Sequence, residues 1–255
     1  MSTTKPCSTP FASSSRDSSS NSTLLSDPYI FRSLVGALQY LTFTRPDLSY
    51  AINSLCQHMH SPSVAHLVAA KRVLHYVRGT ISCGILFQPG PMSLTAFTDA
   101  DWAGNLVDRR STTAFFVFLG NNLITWLSKK QSTVARSSTE AEYRSLTVGA
   151  VELAWLRILL CDFGIFLNSP PIIWCDNLSA ISLALNPAFL ARTKHVEINY
   201  HFVREHVICG DLKVQYIPTE DQLADLLTKA LPSPRFLLLS NKLLHSSRLH
   251  AFEGG

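Results

Sequence analysis

Three apolar, β-forming stretches crowded between residues 93 and 128 constrain this chain more than any other feature. SLTAFTD, TTAFFVFLG and NLITWLS follow one another, with Gly120-Asn121-Asn122 as turn chemistry between the last two. Turn chemistry between apolar runs and the dominance of β-formers predict three antiparallel strands around 93–128. A 3.6-residue period then predicts a long helix from about Ser138 to Asp162, with Ser138 or Thr139 as its cap and Glu142 in its first turn. PPIIWCD reads as a short strand, NLSAISLAL as a helix ended by Asn186-Pro187, and VEINYHFVREHV as another helix. LKVQYIP is the fifth strand of the set and EDQLADLLTKAL the final helix. The order βββαβααβα predicts an α/β fold, a mixed five-stranded sheet flanked by helices.

Upstream, FRSLVGALQYLTF, RPDLSYAINSLCQHM and SPSVAHLVAAKRVLHYVRG carry helical periodicity and end at Gly79, a small helical connector over 29–80. ISCGILF follows it, across Pro89-Gly90-Pro91 from SLTAFTD, so the sheet-bearing domain is placed at 81–232. Residues 233–255 read as a short apolar helix and a frayed end. Residues 1–27 hold ten Ser and four Thr, too little apolar surface to offset the entropy of ordering, so 1–28 is predicted to be a disordered Ser-rich tail. Lys5 and Arg16 in an acid-poor tail loosely mimic an organelle transit peptide, but a linker is the favoured reading. No apolar run approaches the roughly 20 residues of a membrane span. The six cysteines lack any C-x-x-C pair and are expected as free thiols, which places the chain in the cytoplasm or nucleus.

Four acids stand out by position. Asp99 ends LTAFTD and Asp176 ends PPIIWCD, at the carboxyl ends of strands, where sites form in α/β sheets. Glu142 shares a stripe with Leu146, Gly149, Leu153, Leu156 and Leu160, and Asp225 is hemmed by Leu223, Ala224, Leu226 and Leu227. Singly, each has a plain explanation, such as Asp176 capping the next helix. Converging, they would repel one another and require cations, and carboxylate oxygens select hard ions such as Mg²⁺.

The segments TDADWAGN, DRRSTT, SKKQSTVARSSTEAEYRSL, IWCDNLSAISLALNP, RTKHVEINYHFVRE and YIPTEDQLADLLTKALP together closely resemble the ribonuclease H region of the Pol polyprotein of plant copia-type LTR retrotransposons. The stretch from FRSLVGALQYL to YVRGT resembles the connector at the end of the reverse transcriptase. The resemblance covers 30–245 or so and leaves out the tail before Asp27. It implies a ribonuclease H-like fold with Asp99, Glu142, Asp176 and Asp225 as catalytic and metal-binding residues for two Mg²⁺ ions, or Mn²⁺ in their place. In that scheme Asp99 bridges both ions, Glu142 and Asp176 hold the one near the leaving group, and Asp225 the one that prepares the water. Asp101 and Glu140 are the neighbours that compete for the first two roles. Glu140 lies about 200° from Glu142 around a helix, and the leucine stripe selects Glu142.

Between Trp102 and Arg136 the cations Arg109, Arg110, Lys129, Lys130 and Arg136 face a single acid, Asp108. This segment alone carries a net charge equal to the +4 of the whole chain. Such clustering suits a phosphate backbone, with Ser138 and Asn177 as further nucleic-acid contacts. His195, His201 and His206 lack the spacing of a zinc protease motif. The loop IPTED holds no histidine, where many cellular ribonucleases H carry one, and His195 is the candidate proton-transfer helper. The expected function is two-metal hydrolysis of the RNA strand of RNA/DNA hybrids, with a reverse transcriptase supplied by another chain as partner and no membrane. The alternative is a catalytically silent nucleic-acid-binding or interaction remnant of the polyprotein.

Overall fold

The computed structural model describes residues 5–12, 23–186 and 194–246. In chain order the elements are α1 (Tyr29–Leu41), α2 (Ser49–Cys56), α3 (Val64–Gly79), β1 (Cys83–Gly84), β2 (Leu94–Asp101), β3 (Thr112–Leu119) and β4 (Asn122–Lys130). They continue with α4 (Ser138–Asp162), β5 (Ile172–Cys175), α5 (Leu178–Leu185), α6 (Lys194–Ile208), β6 (Lys213–Tyr216), α7 (Asp225–Thr228), α8 (Ser233–Leu243) and β7 (His245–Ser246). Two compact units result, one from Met1–Leu86 with Ala230–Gly255 and one from Phe87–Lys229. Among the described residues no helix is long and apolar enough to cross a membrane.

The first unit buries Phe31, Val35 and Leu38 of α1, Ile52 and Leu55 of α2, Val73 and Tyr76 of α3, and Phe236, Leu239 and Leu243 of α8. Its polar centre is a closed network. Arg45 donates from Nε to Asp47 Oδ1 (3.0 Å) and from Nη2 to Asp47 Oδ2 (2.8 Å). Tyr76 donates to Asp47 Oδ2 at 2.7 Å, and Arg45 Nη1 reaches the Thr80 carbonyl at 2.9 Å. A buried charge is tolerated when it is paired and its remaining hydrogen bonds are met, as here.

Two expectations change in this unit. Residues 5–12, assigned by composition to a structureless tail, lie against α3: Arg72 donates to the Thr9 carbonyl (3.1 Å) and hydroxyl (2.9 Å). Phe11 packs edge-on to Tyr50 with ring centroids 5.3 Å apart. A few anchoring residues suffice, and a count of serines hides them; residues 13–22 lie outside the described residues. ISCGILF does not open the sheet domain. Cys83 and Gly84 pair antiparallel with Ser246 and His245, so the C-terminal segment supplies α8 and a strand to this unit. A pairing between positions so far apart leaves no local signal.

In the second unit the strand order is β4-β3-β2-β5-β6. β2 pairs antiparallel with β3 from Leu94↔Leu119 to Asp101↔Thr112, and β3 with β4, while β2, β5 and β6 run parallel. This is the mixed five-stranded sheet that the element order predicts. Leu146, Ala150, Leu153 and Leu156 of α4 pack into one core with Leu94, Ala96, Phe115, Val117 and Ile173 of the sheet and Ala180, Ala184 and Val203 of α5 and α6.

Two residues set how closely α4 lies on β2. Ser145 Oγ lies 2.7 Å from the Asp99 carbonyl and 2.9 Å from that of Ala114, polar contacts to two neighbouring strands. Gly149 faces Thr98, and a Cβ there would stand 2.6 Å from Thr98 Cγ2. Gly149→Val is therefore expected to cost about 1–3 kcal/mol by overpacking, read as a lower urea midpoint. An unchanged midpoint would show that the helix seats differently.

Candidate active site

The sheet sets two acids side by side. Phe97 of β2 lies opposite Trp174 of β5 in the parallel register. Two residues further along each strand brings Asp99 level with Asp176, which follows the end of β5. α4, seated by Ser145 and Gly149, delivers Glu142 from above β2. The segment 219–228 is tied to β2 and to β4: Gln222 Nε2 donates to the Thr98 carbonyl of β2 at 3.0 Å and Ser128 Oγ of β4 to the Leu227 carbonyl at 2.6 Å. Asp225 is thereby held at the first position of α7.

Asp99 is 2% exposed, Glu142 7% and Asp225 3%. Asp176 is half-buried and accepts from Thr219 Oγ1 at 3.0 Å. Thr228 donates to Asp99 Oδ2. The Lys229 ammonium lies 2.7 Å from Asp225 Oδ1 and 3.8 Å from Asp99 Oδ2. Glu142 receives a backbone hydrogen bond from Ala100, but its buried Oε2 accepts none among the described residues.

These placements are electrostatically costly. Burial pushes Asp99 up to about 6, Lys229 opposes the rise, and Asp225 and Asp176 add to it. Burial, then Asp99 and Asp176, raise Glu142 well above the usual carboxylate range. Burial alone would depress Lys229, yet Asp99 and Asp225 outweigh it and hold the ammonium above its ordinary range. Raised carboxylates beside an orphaned buried oxygen are what hard cations relieve. The oxygen donors, the unpartnered Oε2 of Glu142 and a lysine already acting as counter-ion all fit divalent-cation binding. One oxygen each of Glu142 and Asp176 and the sulfur of Cys175 lie within 4.8 Å of one another.

The neighbouring acids are occupied elsewhere. Asp101 closes β2 and its carboxylate lies over Gly104, where a Cβ would fall 1.9 Å from Asp101 Oδ2. Glu140 pairs with Arg144 at 2.6 Å and accepts from the Arg136 amide at 2.8 Å. The α4 cap is Ser137, whose side chain accepts from the Glu140 amide; Ser138 is the first helical residue and exposed, a one-residue shift from the expected cap. Asn177, not Asp176, caps α5 through Oδ1 to the Ala180 amide at 3.0 Å. That cap uses the carbonyl oxygen, whereas a base-edge contact would use the amide hydrogens.

The basic segment is less uniform than its sequence. Lys130 lies 2.7 Å and Arg110 3.7 Å from Asp108, which balances part of their charge. Arg109, Lys129 and Arg136 are exposed, and Arg109 has φ of 54° at the base of the loop between β2 and β3. The side chain of His195 lies outside the described residues. Lys229, Thr228 and Cys175 join the site beyond the residues to which the sequence points. Lys229 carried a signal, a lysine four residues after Asp225. Cys175 is buried, and burial and then Glu142 raise its thiol. Alkylation of the folded protein is therefore expected at the exposed Cys161 and Cys209 and not at Cys175, read by mass spectrometry of tryptic peptides. Labelling of Cys175 at their rate would contradict this burial.

A mixed sheet in this order, with carboxylates gathered from β2, α4, the end of β5 and α7, defines a ribonuclease H-like unit. Over 95% of its length the chain is 49% identical to the retrovirus-related Pol polyprotein from transposon RE1 of Arabidopsis thaliana, and 50% identical to that from transposon RE2 over the same share. It belongs to the Pol polyproteins of plant retrotransposons, and the stretch it matches includes their ribonuclease H region. The chain spans 17% of the length of these relatives. Because the match takes in nearly the whole chain, much of the segment before Asp27, left outside the resemblance on motifs alone, falls within it. No family model matches. Among solved structures, the N-terminal ribonuclease H domain of a Mycobacterium tuberculosis protein aligns with a TM-score of 0.41 at 11% identity, over 59% of this chain and 97% of that one.

Proposed function

We propose that the unit Phe87–Lys229 hydrolyses the RNA strand of RNA/DNA hybrids with two divalent cations, Mg²⁺ first and Mn²⁺ as substitute. The observation that carries this reading is the buried carboxylate group of Asp99, Glu142 and Asp225 beside Asp176, with Glu142 Oε2 accepting no hydrogen bond among the described residues. In this reading Asp99 is shared, Glu142 and Asp176 hold one cation, and Asp225 holds the other. Bound there, the cations would supply Lewis-acid stabilisation of the attacking and leaving oxygens of a phosphodiester.

The remaining work falls to the chain itself. Ser145, Gly149 and Gln222 keep the carboxylates in place through α4, β2 and the turn before α7. Exposed Arg109, Lys129 and Arg136 offer charge to a phosphate backbone, and the hydroxyl of Ser138 a donor. An RNA strand would be distinguished by its 2′-hydroxyls and hybrid shape rather than by base sequence. In the proposed assembly the hybrid is delivered by a reverse transcriptase on another chain. The test is cleavage of an end-labelled RNA/DNA hybrid by the purified chain with Mg²⁺, with EDTA and with a DNA duplex as controls. Cleavage of the RNA strand of the hybrid alone, lost in EDTA, is the expected result. A gel shift of the hybrid without Mg²⁺-dependent product would overturn it in favour of a silent binding module.

A further inference from the structure

The five residues Asp225–Lys229 bring three groups to the carboxylates at once. Asp225 opens α7, Thr228 donates to Asp99 Oδ2, and Lys229, extended at φ −141° and ψ 157° as its amide reaches back to the Asp225 carbonyl, turns its ammonium onto both acids. Of the two carboxylate pairs, Asp99 with Asp225 has a lysine between them, whereas Glu142 and Asp176 lie with Cys175, and Glu142 Oε2 has no hydrogen-bond partner among the described residues. The two halves of the site are therefore chemically unequal.

We infer that Lys229 is a built-in counter-ion of the Asp99–Asp225 pair, competing with a divalent cation for those two carboxylates, so that the two metal positions differ in affinity by design of the fold. The inference rests on the metal-dependent reading above and deepens it. Its physical basis is simple. Mg²⁺ and Mn²⁺ bind carboxylate oxygen at little more than 2 Å, and an ammonium 2.7 Å from Asp225 Oδ1 stands within a few Å of any ion on that oxygen. Like charges at that separation repel even at a high effective dielectric. Lys229 has a third of its side-chain surface exposed, so water can receive the ammonium when a cation takes its place. Lys229 is thus a positioning residue, acting through Asp99 and Asp225.

The experiment titrates the full chain with Mn²⁺, following free Mn²⁺ by electron paramagnetic resonance, for the wild type, Lys229→Gln and Lys229→Arg. Two classes of site are expected in the wild type. In Lys229→Gln the weaker class should tighten by about tenfold or more, while Lys229→Arg should keep the wild-type pattern because the positive charge is retained. In EDTA, Lys229→Gln should also melt lower than wild type, since two buried carboxylates lose their counter-ion. Unchanged or weaker Mn²⁺ binding in Lys229→Gln, with wild type binding normally, would overturn the counter-ion role alone. Absence of Mn²⁺ binding in all three proteins would overturn the metal-dependent reading and this inference with it.

Discussion

Replacing Asp99 with Asn is expected to cut hybrid cleavage severely and, in EDTA above pH 6, to raise the melting temperature. The two effects have one cause. Asp99 is 2% exposed and lies beside Asp225 and Asp176, so its charged form is unfavourable in the folded protein without a cation. Burial sets its folded value at about 6 against an ordinary value of 3.8. Between those values the folded state holds a proton that the unfolded state has released, and stability falls as pH rises through the window from about 4 to 6. The full difference corresponds to about 3 kcal/mol, withheld from the wild type above pH 6 and restored by a neutral amide. Glu142 moves in the same direction and steepens the same slope. Catalysis, by contrast, should fall by about 10³-fold, because the shared ligand contributes several kcal/mol of charge stabilisation. Differential scanning fluorimetry from pH 4 to 7 in EDTA, beside a hybrid cleavage assay, measures both. A wild-type melting temperature that rises between pH 4 and 6 would contradict the electrostatics. Full cleavage by the variant would contradict the assignment of Asp99.

Asp47→Ala in the helical unit should be the most damaging change outside the site. It strips Arg45 of its bidentate partner and Tyr76 of its acceptor in one step. An arginine left buried without a countercharge costs about 3–5 kcal/mol. Hydrogen exchange in α3 should accelerate by the corresponding factor of about 10² or more. The double variant Arg45→Met with Asp47→Leu should recover most of the loss, because it removes both charges together. If the single variant exchanges at the wild-type rate, the Thr80 carbonyl and hydroxyl alone are sufficient partners for Arg45.

Much of this molecule can be read from local pattern. The three crowded strands, the leucine stripe of α4 and the apolar run of β5 each carry a period or a boundary that belongs to a single element, and their succession along the chain points to a mixed sheet. The stripe also bears on Glu142 against Glu140, since a helix can turn only one of them inward; Arg144 and the Arg136 amide occupy the other. What stayed hidden depends on distant partners. Nothing local tells that Cys83 and Gly84 pair with residues at the other end of the chain, or that Thr9 is an acceptor for Arg72. EDQLADLLTKAL has helical periodicity throughout, yet only Asp225–Thr228 is α-helical. Gln222 bonds to the Thr98 carbonyl of β2 instead, and Lys229 leaves the helix to face the acids.

The helical unit is discontinuous in sequence, interrupted by the whole of Phe87–Lys229. A ribosome making this chain releases α1, α2 and α3 first, then every strand of the five-stranded sheet, and only afterwards the helix whose Phe236 meets Tyr76 with ring centroids 5.6 Å apart. At 5–20 residues per second or so, the interval is on the order of ten seconds or more. Throughout it Tyr76 of α3 lacks the Phe236 ring it packs against in the folded protein, and apolar surface of the nascent helices stays uncovered. Translation pausing within the sheet region would lengthen that exposure, whereas a permuted gene placing α8 ahead of α1 would remove it.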